Sequence, residues 1–131
     1  MNKNNKHIQT FFIPGTLPGM NEIISASKKR YNKIPYYSVI KNRYTSIIIN
    51  AIKAAQIKPV EQFKLDIEWA EINRKRDPDN IAAGIKFILD SLIKTGIIKN
   101  DGWAQNKGWT NHFIVDNQPK IKVNIISILN R

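Results

Sequence analysis

One helix, bracketed by a proline and a glycine, constrains this chain more than any other feature. In residues 74–101, RKRDPDNIAAGIKFILDSLIKTGIIKND, the residues Ile81, Ile85, Ile88, Leu89 and Leu92 recur at the spacing of one buried helical face, while Lys86, Asp90 and Lys94 fall opposite. Pro78 fixes its own φ and pushes Asp77 into extended geometry, so Asp77 is expected to close a strand. Asp79 or Asn80 can then cap the helix with a short side-chain oxygen. Gly96 stands where a left-handed residue ends a helix. Ile97 and Ile98 restart a short apolar segment, and Asn100-Asp101-Gly102 reads as a turn.

The same stretch holds Asp77, Asp79, Asp90 and Asp101, four of ten acidic residues in a chain of formal net charge +11. Two carboxylates about 4 Å apart repel by ~1 kcal/mol in water and ~4 kcal/mol at an effective dielectric near 20, so a fold that gathers them needs a cation between them. Oxygen-only ligands favour Mg²⁺ or Mn²⁺ over zinc. Asp77, Asp79 and Asp101 are expected at element ends flanking one helix, where a fold can bring them together.

Here the sequence resembles the RusA-like crossover-junction endodeoxyribonucleases. Their signature is Asp-x-Asp-Asn at a helix entry, a lysine within the helix, an aspartate near its end and a Gly-x-x-x-x-Asp turn. Asp77-Pro78-Asp79-Asn80, Lys86, Asp90-Ser91-Leu92 and Gly96-Ile97-Ile98-Lys99-Asn100-Asp101 follow it in order. The interval from Asp79 to Lys86 is longer than in the best-known members, and Asn100 stands where a second aspartate often occurs. The resemblance implies that Asp77, Asp79 and Asp101 are catalytic and hold the metal, and that Lys86 is catalytic. It also implies a four-way (Holliday) DNA junction as substrate and a two-fold homodimer.

Composition agrees with a nucleic-acid partner. With 131 residues the chain is one domain's length, 1–131, and its 42% hydrophobic and 24% charged residues are a globular balance. Twenty-one Lys and Arg point to a polyanion. No helix pairs a basic face with Trp or Phe as a membrane-surface helix would, and no apolar run approaches the ~18 residues of a bilayer span. The N-terminus shows no signal-peptide core, so a soluble, cytoplasmic protein is expected. Cysteine is absent, which excludes disulfides, a thiolate nucleophile and Cys-based zinc sites. His7 and His112 lie far apart and read as surface or half-buried side chains. No phosphate-binding glycine loop, nucleophile triad or dinucleotide fingerprint is present, so no nucleotide cofactor is expected.

In chain order, residues 7–13 read as a strand, which Pro14-Gly15 and Pro18-Gly19 break, and LPGMNEII, residues 17–24, reads as an irregular segment. Asn21 either lies near the site or bonds its own backbone. Between Ile23 and Val60 there are eight basic residues and no acidic one. Within that span Lys28, Lys29, Arg30, Tyr31 and Lys33 suit phosphate contact with stacking, or form a solvated loop. Arg74, Lys75 and Arg76 are further candidate DNA contacts. Residues 38–56 read as a long helix with a wide apolar stripe. Phe63, Leu65, Ile67 and Trp69 alternate with Lys64, Asp66 and Glu68 as a half-buried strand, with Asp66, Glu68 and Glu71 as solvent-face charges. Trp103 and Trp109 flank a hairpin or a wide-turned strand. Residues 112–115 and 120–129 read as strands, with Ile125-Ile126 marking a bulge or burial on both faces.

The expected fold is α+β, a mixed or mainly antiparallel sheet of four or five strands with two helices packed on it. The expected activity is a Mg²⁺- or Mn²⁺-dependent endonuclease that resolves junctions by paired nicks. Asn21, Asn80 and Asp90 would support the site from behind, and the 38–56 helix or the Trp103 to Trp109 region would supply the dimer contact. A non-catalytic basic nucleic-acid-binding protein, and a metal nuclease for flap or branched DNA, are the alternatives.

Overall fold

A computed structural model describes residues 6–128, except the side chains of Lys6 and Tyr31. Four strands form one mixed sheet in the order β1-β6-β4-β5: β1 (Lys6–Pro14), β4 (Gln62–Glu71), β5 (Asn106–Val115) and β6 (Lys120–Ile128). β6 runs antiparallel to both β1 and β4, whereas β5 runs parallel to β4 along the outer edge. The α+β expectation therefore holds, with a mixed sheet of four strands. Phe63, Leu65, Ile67 and Trp69 on β4 are each 1% exposed or less. Burying such side chains contributes about 1.5–3 kcal/mol apiece, and a one-residue slip would turn all four outward, which pins the β4 register. Residues 120–128 keep unbroken register with both neighbours, so Ile125-Ile126 makes no bulge; the irregularity falls between Phe63 and Leu65 on the β4–β5 side. Leu129, expected in this strand, lies outside the described residues.

The helices differ from the expected pair. Residues 20–24, read as irregular, instead begin α1 (Met20–Ser27), with Gly19 at its N-cap and Glu22 accepting the Gly19 N–H at 2.6 Å. The glycines and prolines before it marked a break correctly, but the Gly-x-x-Glu entry signal of the helix was missed. α2 (Tyr36–Ala54) matches the long helix and buries Thr45, Ile48 and Ile52. The single helix expected after Pro78 is two: α3 (Pro78–Ala82) and α4 (Ile85–Lys94), joined at Gly84. A Cβ at Gly84 would sit 3.1 Å from Leu17 Cβ and 3.2 Å from the Trp69 ring, so the break lies where the chain passes closest to the sheet. α4 buries Phe87 and Ser91 beyond the expected stripe, because α2 covers that side; Tyr37 and Tyr44 lie with ring centroids 6.3 Å from Phe87. Gly96, at φ +78°, ends α4 as expected, with Gly96 N–H donating to Ile93 and Ile97 N–H to Leu92.

Between α1 and α2 a short hairpin pairs β2 (Arg30–Tyr31) with β3 (Ile34–Pro35). Asn32 and Lys33 both take positive φ, the two-residue turn that matches strand twist. The 103–115 region is one continuous strand, β5, preceded by a turn, and not a hairpin. No described helix is long and apolar enough to cross a membrane.

Candidate metal centre and nucleic-acid surface

Asp77 does not close a strand. β4 ends at Glu71, and five residues intervene before Asp77, itself extended (φ −73°, ψ 152°), caps α3 through its carbonyl, which accepts the Ile81 N–H at 3.0 Å. Pro78 then takes the first helical position, where no N–H is required. Asp79 follows, and both carboxylates are exposed.

Behind them lies a clamp that connects distant parts of the chain. Arg76 donates from Nε and Nη2 to the two oxygens of Glu71 at 3.0 and 2.8 Å, and from Nη1 to the Leu17 carbonyl at 3.0 Å and Glu22 at 3.2 Å. Glu71 is 8% exposed, so it is not the solvent-face charge expected of it. Its hydrogen bonds are the main reason that the guanidinium pKa is raised. Arg76, expected on DNA, is instead committed internally. Asn80 is also buried; its Oδ1 accepts the Asn21 N–H at 2.8 Å, and a Cβ on Gly19 would lie 2.6 Å from both its carbonyl and Oδ1. Asn21 and Asn80 therefore act together as the bolt between α1 and α3. This clamp was missed in the sequence, although Gly19-x-x-Glu22 signals part of it.

Lys86 is exposed in the first turn of α4, at the same end of the sheet. Asp90, expected to support the site from behind, pairs with Lys41 on α2 at 3.4 Å. Asp101 is placed elsewhere. It precedes Gly102, whose carbonyl accepts from Gln105 and Asn106, and Gln105 in turn accepts from Phe63, at the beginning of β4. Asp77 follows the end of β4. Eight residues separate Phe63 from Glu71, roughly 26 Å of strand at ~3.3 Å per residue. Within one chain, Asp101 thus stands at the opposite end of the sheet, and no group of three or more metal-ligating side chains gathers among the described residues. The expectation that one helix would bring the three aspartates together is corrected by the parallel β4–β5 pairing. Asn100, meanwhile, shapes the turn: its Oδ1 accepts the Gly102 N–H at 2.7 Å.

Asp77 and Asp79 fit a hard divalent cation as oxygen donors, and two protein carboxylates leave positions for phosphate and water. Beside Asp77 a cleft of about 240 Å³ is lined by Arg74, Arg76, Pro78, Ile81, Phe113 and Val115, among others. Lys28 and Lys29, just after α1, and Arg30 and Lys33 of the hairpin are exposed, as are Arg74 and Lys75 between β4 and α3; the Tyr31 side chain lies outside the described set. Lys28 and Lys29 also border a shallow cleft with Asn21. A larger cleft of about 760 Å³, between the C-terminal ends of α2 and α4, is edged by Lys53, Lys58 and Lys94. Lys94 was read only as part of the polar helix face, and its nearness to Lys53 and Lys58 was hidden because it lies far from them along the sequence. His112 is exposed and pairs with Asp66 at 3.0 Å on the sheet face away from the helices.

No protein-family model matches this sequence, and no curated protein matches it.

Proposed function

We propose that the protein is a metal-dependent endodeoxyribonuclease acting on four-way and related branched DNA, as its resemblance to the RusA-like enzymes implies. One observation carries the reading. Among the described residues four acidic side chains pair with Lys or Arg, namely Glu22, Glu71, Asp90 and Asp116, and Asp66 bonds to Thr110 and His112. Asp77, Asp79 and Asp101 make none, as is true of Glu61 and Glu68, but only Asp77 and Asp79 of these five stand two positions apart, exposed at one helix entrance, in a chain with 21 Lys and Arg. Carboxylates left unpaired amid excess cationic side chains suit a metal ligand better than a structural role.

Asp77 and Asp79 would hold Mg²⁺ or Mn²⁺, which when bound polarises a scissile phosphate and lowers the pKa of a water molecule. The Arg76 and Asn80 contacts fix the α3 entrance, so the carboxylates need little reorganisation on binding. Lys86 presents positive charge towards the charge that develops on phosphate oxygen. Lys28, Lys29, Arg30 and Lys33, with Arg74 and Lys75, bind the DNA backbone. Two chains related by a two-fold supply two sites for paired nicks in opposing strands.

Labelled four-way junction incubated with Mg²⁺, Mn²⁺ or EDTA tests this reading. Nicked product is expected with either ion and none with EDTA. Asp77→Asn and Asp79→Asn are each expected to abolish cleavage while binding is kept or tightened. Binding without cleavage by the wild type in both metals would replace this reading with the non-catalytic nucleic-acid-binding protein, and flap cleavage without junction cleavage would change the substrate.

A further inference from the structure

The side chain most at odds with its surroundings is Trp103, just before β5, which is 96% exposed. Tryptophan is highly buried on average in folded proteins, and a bare indole leaves a large apolar surface in water. Phe12 at 52% and Trp109 at 47% are the next most exposed aromatics among the described residues, and each is about half covered.

The backbone that presents this indole is fixed. Gly102 N–H donates to Asn100 Oδ1 at 2.7 Å, and the Gly102 carbonyl accepts from Gln105 and Asn106 at 3.2 and 2.8 Å. Lys107 Nζ donates to the Trp103 carbonyl at 3.1 Å, and the Gln105 carbonyl accepts from Phe63, which ties the turn to the start of β4. The ordering of the turn is thus complete on folding, and only the indole's own torsions remain to be fixed when it takes a partner.

We propose that Trp103 stacks on the open face of a base at a DNA branch point, and that this contact gives the protein its preference for branched over continuous duplex DNA. The inference rests on the branched-DNA substrate of the reading above and not on its metal chemistry. Lys99 and Lys107 are exposed, four positions to either side of Trp103, and neither forms an ion pair among the described residues. Asp101 is the one acidic residue in 99–109. A ring set between ammonium groups matches a nucleotide, whose base offers a π-face and whose phosphate offers charge. A protein interface needs a contiguous apolar centre, whereas the residues around Trp103 in 99–108 are Lys, Asn, Asp, Gly, Ala and Gln.

Shape discrimination follows from stacking. Within a continuous duplex each base is covered by its neighbours, and inserting a side chain requires a step to be unstacked. Where arms part at a branch, base faces are already open, so the indole gains the contact without that cost. Every base has such a face, so the contact selects branching and not sequence.

Trp103 fluorescence reads the contact directly. The full chain carrying Trp109→Phe is mixed, in EDTA so that nothing is cut, with a four-way junction or with a duplex of the same arm sequence. Trp69, 1% exposed, supplies a constant background. Emission typical of an exposed indole is expected without DNA, quenched by the junction and not by the duplex. A 5-iodouracil at the branch point should photocrosslink to Trp103, and one in mid-arm should not. Trp103→Ala should weaken junction binding roughly tenfold and duplex binding by less than about twofold. It should leave the slope of log K against log salt unchanged, because an indole neutralises no phosphate. Trp103→Phe keeps a ring and should restore most of the affinity; Trp103→Leu should not. Junction binding without quenching, or equal losses on junction and duplex, overturns the stacking role. Blue-shifted Trp103 emission before DNA is added also overturns it, because protein then covers the indole. Quenching in a protein that nicks nothing with Mg²⁺ or Mn²⁺ leaves the stacking role standing and overturns the nuclease reading; nicking without quenching does the reverse.

Discussion

Arg76→Ala should cost more stability than any exposed substitution on this chain. The guanidinium makes four hydrogen bonds, two to Glu71, one to Glu22 and one to the Leu17 carbonyl. Removing it leaves a carboxylate that is 8% exposed without its cation. Breaking a buried pair from one side costs about 3–5 kcal/mol. The Glu22 side chain is 48% exposed and the Arg76 side chain 22% exposed, so water compensates part of the loss. The lower end, about 3 kcal/mol, is therefore expected. For a domain of this length each kcal/mol moves Tm by about 3–6 °C, so a fall on the order of 10 °C should appear in a thermal melt. Urea unfolding followed by tryptophan fluorescence gives the free energy directly. Arg76→Lys keeps the charge but not the fork and should fall between. Arg76→Met with Glu71→Leu removes both charges and should recover most of the loss. If Arg76→Ala stays within about 0.5 kcal/mol of the wild type, or the paired replacement is worse than the single one, the clamp is not what holds the 72–77 segment.

Three further expectations follow from particular contacts. Gly19→Ala places a methyl 2.6 Å from the Asn80 backbone carbonyl, which must move; a loss of about 1–3 kcal/mol in urea unfolding is expected, and a neutral result would show that α1 and α3 are not bolted there. The Asp66 carboxyl is held below the usual aspartate range, chiefly by the hydrogen bond from Thr110 and also by His112. Its contribution is therefore present above the unfolded pKa near ~4 and lost as pH falls through the lower folded value, so Asp66→Asn should flatten the acid limb of stability against pH. An unchanged acid limb would assign that limb to other carboxylates. Replacing Lys28, Lys29 and Arg30 together by Ala should flatten the slope of log K against log salt for duplex arms by up to ~3, and an unaltered slope would move the DNA elsewhere.

The sequence made the sheet legible where period-two alternation met strong burial, as in Phe63 to Trp69, and where prolines and glycines marked a strand's end, as at Pro14-Gly15 after β1. Helix α2 was readable from its stripe, and the end of α4 from Gly96. Helix α1 was hidden because Pro18-Gly19 signals a break as readily as a helix entrance. The split at Gly84 arises from contact with Leu17 and Trp69, which no local pattern encodes. In the candidate site, the helix entrance that carries Asp77 and Asp79 was legible from one proline, whereas Lys86 was named by the resemblance alone. The position of Asp101 was not legible, since it depends on β5 lying parallel to β4, and strand direction leaves little trace in one sequence. The fates of Arg76 and Glu71 were equally hidden, because a guanidinium bound for DNA and one bound internally look alike until their neighbours are known.

The position of β6 has a consequence for how the chain acquires its shape. Of the four sheet strands it is the last in the sequence, yet it lies between β1 and β4 and bonds to both. As the chain is synthesised, β1 has no strand to lie against until residues 120–128 emerge, and β4 can find only β5. Thr10 and Asn124, joined at 2.6 Å, are 114 positions apart, so this closure brings together segments of very high sequence separation. High contact order slows folding. The nascent protein must therefore carry the apolar β1 segment, Phe11 and Ile13 included, without a strand partner until residues 120–128 are made, and a holdase chaperone present over that interval would be expected to raise its yield.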